Sequence, residues 1–292
     1  MDLFLQQLFN GILIGSTYAL VALGFTLVLG TLDLLNFAHG ETIMFAAYTG
    51  LLALLATGGS ITAALAVAIA TGAVLGLVVY AGSFRWVSKK YWTAPALSTV
   101  GLALILQTGA TRLFGTDQKA VPDPMGDAQI QIGPVSIGLS HIMILGLTVA
   151  LMLGLHALLR YTRLGKAMRA VAENHVASAL LGIPVERTIA FTFLISGLLA
   201  GAAGLLTSLV YHTITPFIGL NILLKGMTGM AIGGMGNVYG AMLGGVLVGV
   251  LETLAVSYLS SAYQDVIVFA ALIAVLMFKP AGIFGVQIRD RA

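Results

Sequence analysis

TIMFAAYTGLLALLATGGSITAALAVAIATGAVLGLVVYAGSF, residues 42–84, contains no Asp, Glu, Lys or Arg. A helix that crosses a bilayer needs about 20 consecutive apolar residues, so this stretch is long enough for two such helices. It lacks the strict alternation of apolar and polar residues that a membrane barrel strand requires. The stretch therefore predicts a helical membrane protein rather than a barrel.

Uncharged runs also fill most of the remaining chain. Of the 292 residues, 59% are hydrophobic and only 9% are charged, against roughly 25% charged in an average soluble domain. Too few polar side chains remain to cover the surface of a water-soluble fold. We expect an all-α polytopic membrane protein, a single transmembrane domain over residues 1–292, with about eight or nine spanning helices, some of them broken or re-entrant. The further uncharged runs are 3–32, 91–111, 128–159, 188–224 and 226–251.

These runs predict where the chain crosses the membrane. Residues 216–279 are rich in glycine and predict either three spans, at 217–235, 238–258 and 263–279, or two spans and a re-entrant segment. Residues 114–139 contain several aspartates and prolines and are predicted to form an external loop. The other six spans are predicted at about 8–29, 38–57, 61–83, 94–113, 140–159 and 188–210.

The basic side chains are concentrated in three places. The positive-inside rule assigns such segments to the cytoplasmic side of the membrane. The first span then runs inward, which puts the N-terminus outside and the C-terminus in the cytoplasm. Because Met1–Asp2–Leu3 lacks the basic region of a cleavable signal peptide, the first apolar run is expected to remain as a span. The three places comprise Arg85, Lys89 and Lys90; Arg160, Arg163, Lys166, Arg169 and Arg187; and Lys279, Arg289 and Arg291.

Glycine accounts for 36 of the 292 residues. In a bilayer, regularly spaced small residues let helices approach closely, which is the role expected here, while a glycine hinge is the functional alternative. The sequence has no cysteine, so neither a disulfide nor a thiolate metal site can form. The regular spacings are Gly197/Gly201, Gly229/Gly233, Gly236/Gly240/Gly244 and Gly245/Gly249.

Polar side chains interrupt the apolar sequence at TLDLLNFAHGE, residues 31–41. Ionisable groups are costly within a membrane and usually face protein or water. One interpretation is a plain turn near the cytoplasmic interface, with Asn36 capping the next helix. The other is a broken helix that lines a solute path and offers its N-terminal N–H groups to an anion, such as the carboxylate of an amino acid. On the second interpretation Asn36, His39 and Glu41 line the path.

Lys225 is the one basic residue within residues 188–251. A lone lysine near a helix end most often extends its ammonium group to the interface, and we expect that here. Pairing with Glu252 is the alternative. Lys225 is therefore a fourth candidate for the translocation path. The five histidines do not have the spacing of metal ligands, so no metal site is predicted.

Residues 160–187, RYTRLGKAMRAVAENHVASALLGIPVER, are polar and basic and separate two long uncharged runs. Their composition favours a helix over 165–172, and Asn174 can cap a second short helix over 175–181. The apolar side chains of the second helix predict docking into a groove of a soluble partner; attraction of a basic loop to anionic lipid is the alternative. Gly182 suits the end of this helix, and Pro184 suits the first turn of the following span.

Five motifs together resemble one known family. The first is E-N-x-x-A-x-x-x-x-G-I-P, residues 173–184, which resembles the EAA loop of ABC-importer permeases, although Asn-His follows Glu173 where the wider consensus has alanines. The other motifs are N-F-A-H-G-E at 36–41, R-x-x-R-x-G-K-A-x-R-A at 160–170, T-P-F-I-G at 215–219 and G-G-M-G-N-V-Y-G-A-M-x-G-G at 233–245. Over about residues 10–285 the chain is similar to the LivH-type permeases of the high-affinity branched-chain amino acid importers.

The resemblance implies that residues 160–187 contain a cytoplasmic coupling helix that sits in a cleft on an ATPase. Two ABC ATPase subunits, a second LivM-like permease and a periplasmic solute-binding protein would complete an importer of the bacterial inner membrane, with no nucleic acid partner. The chain has no G-x-x-x-x-G-K-[ST] motif, so we expect no enzymatic activity, no cofactor, and ATP bound only by the partner subunits. The residues expected to couple to the ATPases are Arg169, Glu173, Asn174, Ala177, Leu181, Gly182 and Pro184.

The expected function is translocation of branched-chain or other hydrophobic amino acids. The alternative is the same type of permease for urea or short-chain amides, since those related importers have an A-H-G-E segment too. An intramembrane enzyme would need paired catalytic groups at membrane depth, and an ion channel would need a selectivity filter or a ring of charge. Neither pattern is visible in the sequence.

Overall fold

Apolar helices joined by short connections form most of the computed structural model, which describes residues 2–87, 93–126, 128–133 and 135–285. A π-helical turn, Tyr80–Arg85, follows the helix that ends at Val79, and a 3-10 turn, Ser261–Tyr263, precedes the helix that starts at Gln264. The helices are α1 (Asp2–Leu32), α2 (Ala38–Ala56), α3 (Ile61–Val79), α4 (Thr93–Phe114), α5 (Leu139–Tyr161), α6 (Arg163–Glu173), α7 (His175–Leu180), α8 (Val185–Tyr211), α9 (Ile218–Gly233), α10 (Val238–Tyr258) and α11 (Gln264–Phe278).

The predicted all-α polytopic class is confirmed. Among the described residues, 7 helices are long and apolar enough to cross a membrane: α1, α3 with its π-helical turn, α4, α5, α8, α10, and α11 with its 3-10 turn. Two further apolar helices, α2 with 19 residues and α9 with 16, occupy the remaining predicted spans. Each of the nine predicted segments therefore contains a helix.

Glycines bring α1 and α10 into backbone contact along the centre of the bundle. A Cβ added at Gly15 would lie 2.6 Å from Val246 Cα, and one added at Gly245 would lie 2.5 Å from Ala19 N. Helices α3 and α8 meet in the same way at Gly72, Gly197 and Gly201. These contacts confirm close packing for most of the predicted glycine pairs. Gly236 differs, because it has φ +78 and lies in the turn between α9 and α10 with open space around it.

One end of the bundle, called here the loop end, is formed by residues 115–126, 128–133, 135–138 and 212–217. Four short strands lie there: β1 (Lys119–Ala120), β2 (Gln129–Ile132), β3 (Val135–Gly138) and β4 (Thr213–Ile214). Strand β1 pairs with β4, and β2 pairs with β3, both antiparallel. The Gln6 side chain joins this end, since its Nε2 donates to the Ser136 carbonyl and its Oε1 accepts from Ser136 N. The predicted external loop thus lies beside the start of α1.

The opposite end, called here the basic end, is formed by α6, α7, the start of α8, the end of α1 and the α9–α10 turn. Tyr80 Oη donates to the Glu186 carbonyl at 3.3 Å, which joins α3 to α8 there. Asn237 Nδ2 donates to the Phe284 carbonyl at 2.9 Å. The described members of the three basic clusters belong to elements that meet at this end. They are Arg85, Arg160, Arg163, Lys166, Arg169, Arg187 and Lys279. Lys89, Lys90, Arg289 and Arg291, and in the external loop Asp127 and Pro134, lie outside the described residues.

Candidate functional site

Helix α2 begins inside the bundle rather than at its basic end. Helix α1 continues to Leu32, Asp33 adopts a left-handed conformation with φ 54, and α2 starts at Ala38. His39 then packs against Gly24 of α1, eight residues before the end of that helix, which is roughly 12 Å along its axis. Phe37 is the N-cap residue and makes no side-chain cap hydrogen bond, so the capping role predicted for Asn36 is wrong. The backbone N–H of Phe37 instead donates to Thr99 Oγ1 of α4.

Asn36, His39 and Glu41 are buried, each with at most 5% of its surface exposed. His39 Nδ1 lies 3.4 Å from Ser196 Oγ, which itself donates to the Gly24 carbonyl at 2.7 Å. Among the described residues, Asn36 Oδ1, His39 Nε2 and Glu41 Oε2 have no hydrogen-bond partner. Buried polar atoms are nearly always hydrogen-bonded, so three orphan atoms within six positions mark this break as a place where further polar groups can bind.

The first turn of α9 covers this break. A Cβ added at Gly40 would lie 2.5 Å from the Gly219 carbonyl oxygen, and one added at Gly219 would lie 2.7 Å from the Gly40 carbonyl oxygen. Glu41 Oε1 is also close, because it would lie 3.1 Å from the Cβ added at Gly219. The N-termini of α2 and α9 therefore cross at two glycines within the bundle. Each N-terminus has unpaired N–H groups and a partial positive charge, which favours an anion nearby.

Lys225 of α9 forms a buried ion pair with Glu252 of α10. Their Nζ and Oε1 atoms are 2.6 Å apart, and Asp265 Oδ1 of α11 lies 3.5 Å from the same Nζ. The expectation that Lys225 extends to the interface is wrong, because a carboxylate within reach stabilises its charge inside the bundle. The pairing alternative is confirmed. The four predicted path residues thus form two groups. Asn36, His39 and Glu41 lie at the α2 break, and Lys225 lies in the ion pair with Glu252.

Two tyrosines complete this charged cluster. Tyr18 of α1 and Tyr211 of α8 share a hydrogen bond of 2.5 Å between their hydroxyl oxygens, and Tyr211 Oη donates to Glu252 Oε1 at 3.5 Å. The Lys225 ammonium lies 5.6 Å from the centroid of the Tyr18 ring. Tyr18, Tyr211 and Asp265 were not predicted as site residues. Glu252, the one acidic residue in residues 188–264, was the available signal for this neighbourhood.

The polar segment at the basic end folds largely as predicted. Thr162 Oγ1 accepts from Gly165 N at 3.0 Å and starts α6 at Arg163, two residues earlier than expected. Asn174 Oδ1 accepts from Ala177 N at 2.9 Å, which confirms Asn174 as the cap of α7. Gly182 follows α7 with φ +81. Pro184 is the N-cap residue of α8 rather than part of its first turn.

Helix α7 exposes an apolar surface away from the bundle. Val176, Leu180 and Leu181 are 71%, 85% and 81% exposed, while Ser178 on the opposite face is buried. The guanidinium of Arg169 on α6 donates to the Leu159 carbonyl at the end of α5. All seven residues predicted to couple to the ATPases are exposed. Exposed apolar side chains on a short helix fixed between two spans form a surface suited to a groove on a partner.

Comparisons with known proteins agree with this architecture. Residues 7–276 match the family described as branched-chain amino acid transport system / permease component. The high-affinity branched-chain amino acid transport system permease protein LivH of Salmonella typhimurium is 37% identical over 97% of this chain and 96% of its own length. The corresponding permease BraD of Pseudomonas aeruginosa is 36% identical over the same shares. The ribose import permease RbsC of Escherichia coli is 27% identical over 94% of this chain and 85% of its own length. The chain therefore belongs to the family of branched-chain amino acid transport permease components.

Proposed function

We propose that this chain is the membrane-spanning permease subunit of an ATP-driven importer for branched-chain or other hydrophobic amino acids. The observation that carries the proposal is family membership over residues 7–276 together with the exposed apolar surface of α7. Relatives at 36% and 37% identity are named as high-affinity branched-chain amino acid permeases, which supports this solute class for the chain.

The energy for transport comes from other subunits. The only Gly-Lys pair in the sequence, Gly165-Lys166, is followed by Ala167, and Arg160 stands where a P-loop would have its first glycine. We therefore assign ATP binding to two ABC ATPase subunits and no cofactor to this chain. A second LivM-like permease would complete the membrane unit, and a periplasmic binding protein would deliver the solute.

Movement of the ATPases reaches this chain through α7. Leu181, just after α7, contributes apolar contact area. Glu173 at the end of α6, and Asn174 and Ala177 at the start of α7, would meet the cleft wall. Gly182 and Pro184 set the sharp turn into α8, so a push on α7 displaces α8 directly. Arg169 ties the same segment to the end of α5 through the Leu159 carbonyl.

The solute path includes the α2 break. In the present conformation the Gly40–Gly219 crossing closes this region, and the orphan atoms of Asn36, His39 and Glu41 lie beneath it. Separation of α9 from α2 would expose two helix N-termini to the solute carboxylate. Lys225 would contact the solute at a second point on the route. Hydrophobic walls between these points suit an apolar amino acid side chain.

The basic end faces the cytoplasm in this proposal. It contains the described members of the three basic clusters, which the positive-inside rule retains on that side. The loop end, with the start of α1, then faces outward, and the C-terminus of the chain lies in the cytoplasm.

Uptake into proteoliposomes tests the solute class. The permease is reconstituted with its cognate ATPases and second permease, and radiolabelled leucine is offered with the cognate binding protein. We expect unlabelled leucine, isoleucine and valine to compete. Uptake of radiolabelled urea or acetamide, with no uptake of leucine, would instead support the amide-type permease.

A further inference from the structure

The cluster of Lys225, Glu252 and Asp265 lies on α9, α10 and α11, outside the segment proposed to meet the ATPases. It joins α9, α10 and α11 through contacts of 2.6 Å and 3.5 Å at a single ammonium group. Ionisable residues within a membrane-spanning bundle are costly and usually mark a pathway for substrate or ions. One cation beside two carboxylates is a set of groups that suits a ligand with both signs of charge.

Two cavities open beside the ion pair, and Glu252, Tyr211 and Gln264 line both of them. The larger has a volume of about 510 Å³ and continues to His141 and His212 at the loop end. The smaller has a volume of about 290 Å³ and is lined by a mixture of polar and apolar side chains. Besides the shared residues, these include Lys225, Asn221, Thr215, Tyr18, Ile218 and Ile222.

Each charged group in the cluster retains unused binding capacity. Within the part of the chain that the structure describes, Glu252 Oε2 is buried and has no hydrogen-bond partner, because Lys225 and Tyr211 both contact Oε1. The Lys225 ammonium has three donors, and only two carboxylate contacts are recorded for it. The Asp265 side chain is 54% exposed and therefore accessible.

We propose that this cluster and the smaller cavity form an outer binding subsite for the charged end of a free zwitterionic amino acid. The subsite deepens the proposed function and rests on it. The Lys225 ammonium binds the solute carboxylate, while the Glu252 carboxylate binds the solute ammonium. Asp265 is not among the lining residues and adds negative charge beside them. The apolar side chain of the solute lies against Ile218 and Ile222. A solute that lacks either charge leaves one group of the cluster without its partner, so the subsite selects zwitterions.

The absence of cysteine from the natural sequence allows a direct test of occupancy. Thr215 lines the smaller cavity, and Thr215→Cys is a nearly isosteric change there. Ser261→Cys provides a matched control, because Ser261 is exposed in the 3-10 turn before α11 and is not among the lining residues. The rate at which a small methanethiosulfonate reagent modifies each cysteine is measured by mass shift of this chain in the assembled permease–ATPase complex.

Leucine is expected to slow modification at position 215 about threefold when its concentration is twice its dissociation constant, and to leave position 261 unchanged. Neither 4-methylpentanoate, which lacks the ammonium, nor 3-methylbutylamine, which lacks the carboxylate, should protect comparably. Protection should disappear in the double variant Lys225→Gln/Glu252→Gln, which removes both members of the buried ion pair.

Leucine uptake by the same preparation, with the binding protein added, separates the two proposals. Uptake without protection at position 215 would overturn the subsite and leave the proposed function standing. Protection that persists in the double variant, or equal protection by 4-methylpentanoate, would also overturn the subsite. Failure to take up any branched-chain amino acid, with the complex assembled and hydrolysing ATP, would overturn the proposed function and the subsite with it.

Discussion

His175 Nε2 lies 3.0 Å from the carbonyl oxygen of Thr31, a contact in which the ring N–H is the donor. His175 is the first residue of α7, and Thr31 lies in the last turn of α1, which leads directly into the break before α2. The surface proposed to meet the ATPases is therefore connected to two places, α8 through the turn at Gly182 and α1 through this hydrogen bond. Movement of α7 can thus reach the Asn36–Glu41 region along a short route.

Replacement of His175 by alanine tests this connection. The loss of one partly buried hydrogen bond is worth about 1 kcal/mol, so the uptake of solute per ATP hydrolysed should fall roughly threefold to tenfold. His175→Gln keeps a side-chain donor and should recover part of the loss. Uptake and phosphate release are measured in the same proteoliposomes.

His156→Ala is the matched control for that experiment. His156 also bonds at the basic end, where its Nδ1 lies 2.9 Å from Tyr239 Oη, but it does not lie on α7. Its uptake per ATP should match that of the wild-type protein. A His175→Ala complex with the wild-type ratio of uptake to hydrolysis would show that the α1 contact plays no part in coupling.

Leu180 provides a test of the docking surface. Its side chain is 85% exposed, so Leu180→Asp should leave the thermal stability of the permease nearly unchanged. Burial of a carboxylate in an apolar cleft is unfavourable, and co-purification of the ATPases should fall by about tenfold or more. Leu180→Met keeps the apolar contact and should assemble normally. Normal assembly and uptake with aspartate would place the ATPase interface elsewhere.

The glycine crossing above the α2 break makes a prediction about stability. In Gly40→Ala the new methyl group meets the Gly219 carbonyl, and overpacking of this kind costs about 1–3 kcal/mol. The melting temperature of the purified complex in detergent should therefore decrease. Gly101 in α4 has open space where a Cβ would lie, so Gly101→Ala should not lower it. Equal melting temperatures for the two variants would contradict close contact between α2 and α9.

The Lys225–Glu252 pair should behave as a coupled unit. Lys225→Gln leaves the buried Glu252 carboxylate without its partner, which destabilises by about 3–5 kcal/mol. Glu252→Gln leaves the Lys225 ammonium with only the exposed Asp265 carboxylate and should also destabilise. The double variant removes both charges and should cost much less than the sum of the single changes. Asp265→Asn, at an exposed position, should have a small effect. Additive losses of unfolding free energy across this cycle would mean that the two side chains do not interact.

Much of the helical architecture was predictable because its signals are local. Uncharged runs define the spans, and the Asn174 side chain caps α7 through a contact only three residues along the chain. The EAA-like motif likewise lies within one segment, so the exposed surface of α7 could be anticipated. The small strands at the loop end were not predicted, since two-residue pairing such as β1 with β4 has no recognisable pattern in the sequence.

The depth of the α2 break and the partners in the bundle were not predictable, because they depend on packing between distant residues. Gly40 and Gly219 meet only once α2 and α9 are placed together. The His175–Thr31 contact joins residues 144 positions apart. For Lys225, composition alone favoured extension to the interface, and only the position of α10 brings Glu252 within 2.6 Å.

ATP-dependent uptake of radiolabelled leucine tests whether this chain is an amino acid permease driven by ABC ATPases. Proteoliposomes contain the permease pair and ATPases, with the cognate binding protein outside and ATP enclosed on the ATPase side. We expect accumulation that requires ATP, falls about tenfold or more with Leu180→Asp and is competed by isoleucine and valine. Accumulation of urea or acetamide in place of leucine, or leucine uptake that proceeds equally without ATP, would contradict it.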